Sequence, residues 1–243
     1  MLHYYTLNEG TWRATTRWPV AGTRTERLYL ADGNALTRQR PTATAAGPDA
    51  DLLRLSPTAG TGPSDRWNTN LSGAPVSYPD RAAVDRELLS YDSPPVRQDT
   101  RVTGLGRVTL DVTGISGASD GALHVYLEHV APDGRVTYLT EGQLALADRA
   151  TTSRRENPDW RRLRTARGYT STDAAPFPQG RPRQVTLDPQ PTSVLFRAGD
   201  RIRLTVAAAN PDSFELRPAD GRAAYTIGHG AVRPSFVELP VVG

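Results

Sequence analysis

Five residues, Gly117-Ala118-Ser119-Asp120-Gly121, fit the pattern G-x-S-x-G. In a serine hydrolase that pattern presents the nucleophile on a strained turn between a strand and a helix. Acyl transfer would also need a histidine within hydrogen-bond reach of Ser119 and an acid to orient it. The chain has four histidines, His3, His124, His129 and His229. Nothing in their spacing assembles that set with Ser119, and no H-E-x-x-H or similar metal spacing occurs. His124 shares strand parity with Tyr126, His129 falls on the opposite face, and His229 reads as a loop residue that bonds backbone. Asp120 reads as a turn residue accepting backbone hydrogen bonds, with a bridge to an arginine or a place in a cation site as the alternatives. The residues after the motif, ALHVYLEHV, alternate as a strand. The motif is therefore expected in a strand-to-strand loop, with Ser119 not a nucleophile.

Seven arginines stand between Arg149 and Arg167 against Glu156 and Asp159. Such a cluster suits phosphate or nucleic acid. Aromatic interleaving is limited to Trp160 and Tyr169, and the chain uses arginine for every basic position. A solvated or docking loop is the expected reading. No glycine-rich phosphate cradle opens a helix after a strand, so no cofactor is implied. The net charge of +3 is small, cysteine is absent, and no run of about 18 apolar residues exists. These features argue against nucleic-acid, thiolate and membrane-spanning classes. The first residues also lack a basic region followed by an apolar one, so no secretory signal is expected in this chain.

The elements that hold these residues read as strands. Val108, Leu110 and Val112 share one face of Arg107–Val112. Ile202, Leu204, Val206 and Ala208 share one face of residues 201–208, with Arg201, Arg203 and Thr205 opposite. That period of two predicts half-buried antiparallel strands whose Thr205 side meets solvent. Asp32-Gly33-Asn34 predicts a hairpin. Further strands are expected over 87–91, 122–130, 136–143, 183–187 and 236–241, with a short helical candidate at 80–89. Two irregular excursions, about 41–80 and 149–180, interrupt them.

The stretch Asp120 to Arg149 places a strand, a Pro132-Asp133-Gly134 turn and a returning strand in succession. Together with Thr11–Arg13, Trp18-Pro19, Arg27–Leu36, Leu88–Val96, Gln98–Val112, Pro191–Val206 and Pro234–Val242, it resembles the C-terminal domain of the cocaine esterase and X-prolyl dipeptidyl-peptidase family of serine hydrolases. The resemblance runs in order over almost the whole chain. It implies an all-β fold, a single jelly-roll β-sandwich over residues 1–243 of the galactose-binding type. It also implies that the nucleophile belongs to an α/β-hydrolase domain absent from this chain. Where the family commonly has an arginine and a histidine, this chain has Ala145 and Asp148. Gly199-Asp200-Arg201 stands in place of the usual Gly-His-Arg.

The expected function is that of a non-catalytic accessory domain, inactive alone. It would dock on a separately encoded α/β-hydrolase and shape the pocket for acyl esters or X-Pro peptides, or else self-associate. The expected contact lies in the second excursion, at Arg155, Trp160, Arg161, Arg162, Arg164 and Phe177, with Trp160 and Phe177 as buried anchors. No catalytic, cofactor or metal residue is assigned, and neither nucleic acid nor membrane is an expected partner. A stand-alone jelly-roll module binding carbohydrate or protein, and a remnant of a truncated gene, are the alternatives.

Overall fold

The computed structural model describes residues 1–42, 49–62, 65–67, 69, 73, 75–152 and 165–243. Strands β1 (Leu2–Thr6) and β2 (Thr11–Thr15) form a separate two-stranded hairpin. Next come β3 (Thr23–Ala31), β4 (Ala35–Thr37), β5 (Ala50–Arg54), β6 (Leu89–Asp92), β7 (Thr100–Gly104), β8 (Arg107–Ser116), β9 (Ala122–Val130) and β10 (Val136–Ala145). The chain ends with β11 (Arg183–Leu187), β12 (Thr192–Phe196), β13 (Arg201–Ala207), β14 (Ala224–Gly228) and β15 (Phe236–Val242).

One layer has the order β10-β9-β13-β6, and the other has β3-β15-β8-β14-β5. β11 pairs with the free side of β8, and β7 joins β12 to the end of β15. β4 continues from β3 and meets β6 through one parallel pair, Ala35 with Asp92. Leu123, Val125 and Leu127 of β9, with Leu204 and Val206 of β13, share a core with Val108, Leu110 and Val112 of β8 and Tyr225 and Ile227 of β14. These are the alternating apolar positions of each strand, which a pleated strand must turn to one side. The architecture is an all-β sandwich.

The Asp32–Asn34 hairpin forms as its residue types require. Gly33 and Asn34 lie at φ 69° and 57°, in the left-handed region that glycine and asparagine tolerate best. The turn at 131–134 closes with the Gly134 amide donating to the Ala131 carbonyl at 2.9 Å.

Three expectations are corrected. The first excursion contains β5, whose Leu53 is buried and which pairs along β14. β14 itself, AYTIG, stood outside the expected strands. The helical candidate at 80–89 is one 3-10 turn, Val84–Glu87, leading into β6. Thr205 is fully buried, so β13 is covered on both faces. Arg81 and Asp85, just past the first excursion, lie over that second face, which turns a surface expected to be solvated into an interior.

Candidate functional site

The G-x-S-x-G segment connects β8 to β9 through a 3-10 turn at Ala118–Asp120. Ser119 is exposed, and its carbonyl accepts from the Phe177 amide at 3.0 Å. The two glycines are explained by packing. A Cβ on Gly117 would stand 1.8 Å from the Arg222 carbonyl oxygen, and one on Gly121 would stand 1.6 Å from the Tyr225 hydroxyl. Gly117 also sits at φ 59°. The motif is thus a close approach of the β8–β9 loop to the start of β14, without the strand-turn-helix context of a nucleophile elbow. Asp120 takes the arginine bridge, to Arg217 at 2.9 Å.

The histidines are engaged apart from Ser119. His3 is exposed on β1. His124 is buried 5.2 Å from the Phe214 ring, and burial pulls its imidazole down to about 4. His129 Nε2 lies 2.8 Å from Asp200, the aspartate in the Gly-Asp-Arg segment. The His229 amide donates to the Asp49 carbonyl at 2.8 Å. Its ring lies 3.3 Å from Asp51 and 3.6 Å from Asp32. The Tyr91 hydroxyl donates to the same Asp51 carboxylate at 2.7 Å. Among the described residues no group of three histidine or acidic side chains is placed to hold a metal ion.

The most site-like assembly is the second face of the β10-β9-β13-β6 layer. The strand register sets Tyr126 opposite Glu141 and Thr205, and Glu128 opposite Tyr138 and Arg203. Ser90 and Asp92 of β6 extend the two rows beside Thr205 and Arg203. From the covering segment, Arg81 Nε donates to Glu128 at 2.8 Å and Nη1 to the Gly60 carbonyl at 2.8 Å. Its Nη2 lies 3.3 Å from Asp85, and its guanidinium stands 5.0 Å from the Tyr126 ring. Thr205 donates to the other Glu128 oxygen at 2.6 Å. The ladder runs on through Asp85 to Arg203 at 3.0 Å, and Arg203 grips Asp92 with two bonds of 2.7 and 2.9 Å.

Burial, reinforced by the Asp85 carboxylate, raises the Glu128 carboxyl above its ordinary range against the pull of Arg81 and Thr205. Glu141 is 2% exposed. Its nearest cation is Arg66 at 3.4 Å, and neither oxygen has a well-aligned hydrogen-bond partner. Burial, with the Asp65 charge nearby, pushes it up to about 7. Perturbed carboxyls often mark functional sites, but structural ion networks perturb them too. This ladder is buried at its Arg81–Glu128 end and opens to solvent at Asp92. Its chemistry is that of a clamp holding the first excursion on the sheet. Beside it, an open groove of about 660 Å³ is lined by Asn34, Asp85, Arg86, Ser90, Asp92 and Arg203 among others.

The sequence reading did not single out Glu128, Glu141, Arg81 or Asp85. The available signal was parity: His124, Tyr126 and Glu128 alternate with Leu123, Val125 and Leu127, marking a polar face whose burial depends on distant chain. Of the residues expected at a docking contact, Arg155, Trp160, Arg161, Arg162 and Arg164 lie outside the described residues. Phe177 requires correction as an interface anchor. It is 1% exposed within the chain's own core, with Arg149 stacked 5.6 Å from its ring. This aromatic side chain, flanked by Pro176 and Pro178, found its apolar partners within the domain.

Residues 1–237 match the family described as the X-Pro dipeptidyl-peptidase C-terminal non-catalytic domain. A protein of Mycobacterium bovis named "Putative serine esterase" is 38% identical over 242 residues, which are 99% of this chain and 37% of that protein. A protein of the same name from Mycobacterium tuberculosis matches to the same extent. The chain therefore spans little more than a third of the length of these relatives. Among solved structures, an α-amino acid ester hydrolase superposes with a TM-score of 0.74 at 18% identity, covering 98% of this chain and 40% of that one. An aminopeptidase from a Thaumarchaeota archaeon of marine sediment gives 0.70 at 19%, covering 99% and 40%. A CocE/NonD family hydrolase of Staphylococcus aureus gives 0.68 at 13%, covering 98% and 40%. At these identities the superpositions establish the fold alone. The sandwich, the loop setting of the serine motif and the match over residues 1–237 agree, and the chain belongs to the family of X-Pro dipeptidyl-peptidase C-terminal non-catalytic domains.

Proposed function

We propose that this chain is an accessory domain that docks on an α/β-hydrolase catalytic region and helps shape its substrate pocket. The whole assembly would hydrolyse acyl esters or X-Pro peptides. The observation that carries this reading is the match of 99% of the chain to only 37% of a protein named as a serine esterase. The lack of an elbow around Ser119 supports it, because the chemistry must then come from elsewhere. The arginine-rich segment with Arg155, Trp160, Arg161, Arg162 and Arg164 is proposed as part of the contact, the arginines serving as a steering rim around an aromatic anchor.

Two measurements test the reading. The purified chain should release no p-nitrophenol from short acyl esters and no anilide from X-Pro substrates above a heat-inactivated control. Turnover that Ser119→Ala abolishes would overturn this. The chain should also replace the matched C-terminal region of the M. bovis relative and restore the esterase activity lost on truncation. A chimera no more active than the truncated protein would refute docking.

A further inference from the structure

The β1–β2 hairpin pairs with no other strand along its length, yet one face of it is firmly held. The Thr6 hydroxyl meets the Ser193 hydroxyl at 2.9 Å, and Ser193 meets Thr103 at 2.8 Å. The Leu7 amide donates to the Ser193 carbonyl at 2.8 Å, and the Leu195 amide donates to the Leu7 carbonyl at 3.0 Å. Tyr4, on the same parity as Thr6, packs edge-on to Trp18 at 6.0 Å. Two-stranded hairpins are marginal alone, and this inner row supplies the anchorage.

The opposite row has no such cover. Tyr5 and Trp12 are direct cross-strand partners whose rings meet edge-to-face at 5.6 Å. They are 43% and 69% exposed. His3 and Ala14, the next pair on that face, are exposed as well. Two aromatic rings held side by side in water on an anchored ribbon form a compact apolar patch, of the kind that marks interaction surfaces. Arg13, the cross-strand partner of Tyr4, belongs to the inner row, where it is tied to Glu9, which Arg101 also grips at 3.0 Å. Tryptophan and tyrosine are among the residues that concentrate binding energy at interface centres.

We infer that the outer face of the β1–β2 hairpin, centred on Tyr5 and Trp12, is a docking surface for the α/β-hydrolase catalytic region, through an apolar patch. This rests on the accessory-domain reading above and adds the face that carries it. The occupant follows from the length of the relatives. More than half of each relative lies outside the match, so a large body of chain of hydrolase type accompanies this domain there.

The test uses the chimera in which this chain replaces the C-terminal region of the M. bovis relative. Tyr5→Ser with Trp12→Ser should shorten the half-life of esterase activity at elevated temperature at least tenfold and split one unfolding transition into two. In the isolated chain the same pair should lower the melting temperature only slightly and leave a single transition, because the rings are already largely solvated there. An active chimera whose inactivation and melting do not respond would overturn the hairpin assignment and leave docking itself standing. A chimera that never gains activity fails the underlying reading instead. Independently of the chimera, hydroxyl-radical footprinting of the intact M. bovis protein should show protection of the segment aligned with residues 3–14. Free labelling of that segment would overturn the inference, as would a dimer of this chain that Trp12→Ser dissolves.

Discussion

Replacing Glu141 by glutamine should make this protein more stable at pH 8 and remove one component of its pH response. The carboxyl is 2% exposed on the covered face, close to Asp65, Arg66 and Trp67 of the covering segment and Tyr126 of β9. Its ordinary value of 4.5 rises to about 7, chiefly through burial. The native state therefore binds the proton more tightly than the unfolded chain does. Between those two values the native state carries more protons, and stability falls as pH rises. The contribution is fully present below about pH 4.5 and gone above about pH 7. A shift from 4.5 to about 7 is worth about 3 kcal/mol at roughly 1.4 kcal/mol per pH unit. Glutamine keeps the shape, cannot ionise, and carries a pH-independent offset of its own. Urea unfolding of both proteins from pH 5 to pH 8 should thus show the wild type losing about 2–3 kcal/mol relative to Glu141→Gln. Parallel stability curves for the two proteins would refute the reasoning, since Glu141 would then be ionised in the fold throughout, held by Arg66.

Other substitutions probe the same sandwich from different sides. Leu204→Ala should cost about 2–5 kcal/mol as a core truncation, while Thr205→Ala on the opposite face should cost about 1–3 kcal/mol by removing the hydroxyl that Glu128 accepts from. A loss under about 0.5 kcal/mol at Thr205, the usual range for a solvated surface position, would show that this face is wet after all. Arg81→Met leaves Glu128 and Asp85 buried without their shared cation, so chemical denaturation should register a loss of about 3–5 kcal/mol. Gly121→Ala should lower the melting temperature sharply, because its Cβ would stand 1.6 Å from the Tyr225 hydroxyl. Ser119→Ala in the same loop should be silent in thermal melts, and the reverse order would restore the serine motif to importance.

What the sequence determined is everything that strand periodicity encodes. The alternation in Arg107–Val112 and in residues 201–208 put Val108, Leu110, Leu204 and Val206 on the core side, and the Gly33-Asn34 pair fixed a hairpin because few other residues accept positive φ. The alternation after Ser119 also showed that no helix follows the serine, which removed the nucleophile elbow before any contact was known. Tertiary structure decided what lies above each polar row. Glu128 and Thr205 look solvent-facing by parity, and only the segment carrying Arg81 and Asp85, placed by pairings far along the chain, buries them. The same holds for β5 and β14, two five-residue strands whose flanks are rich in glycine, proline and alanine. β14 is stabilised between β5 and β8, and β5 by β14, rather than by its own pattern. Phe177 makes the point in reverse. An aromatic side chain in an irregular segment has the same local signature whether it caps its own core or reaches for a partner, and only the packing of Ala118 and β8 around it made the choice.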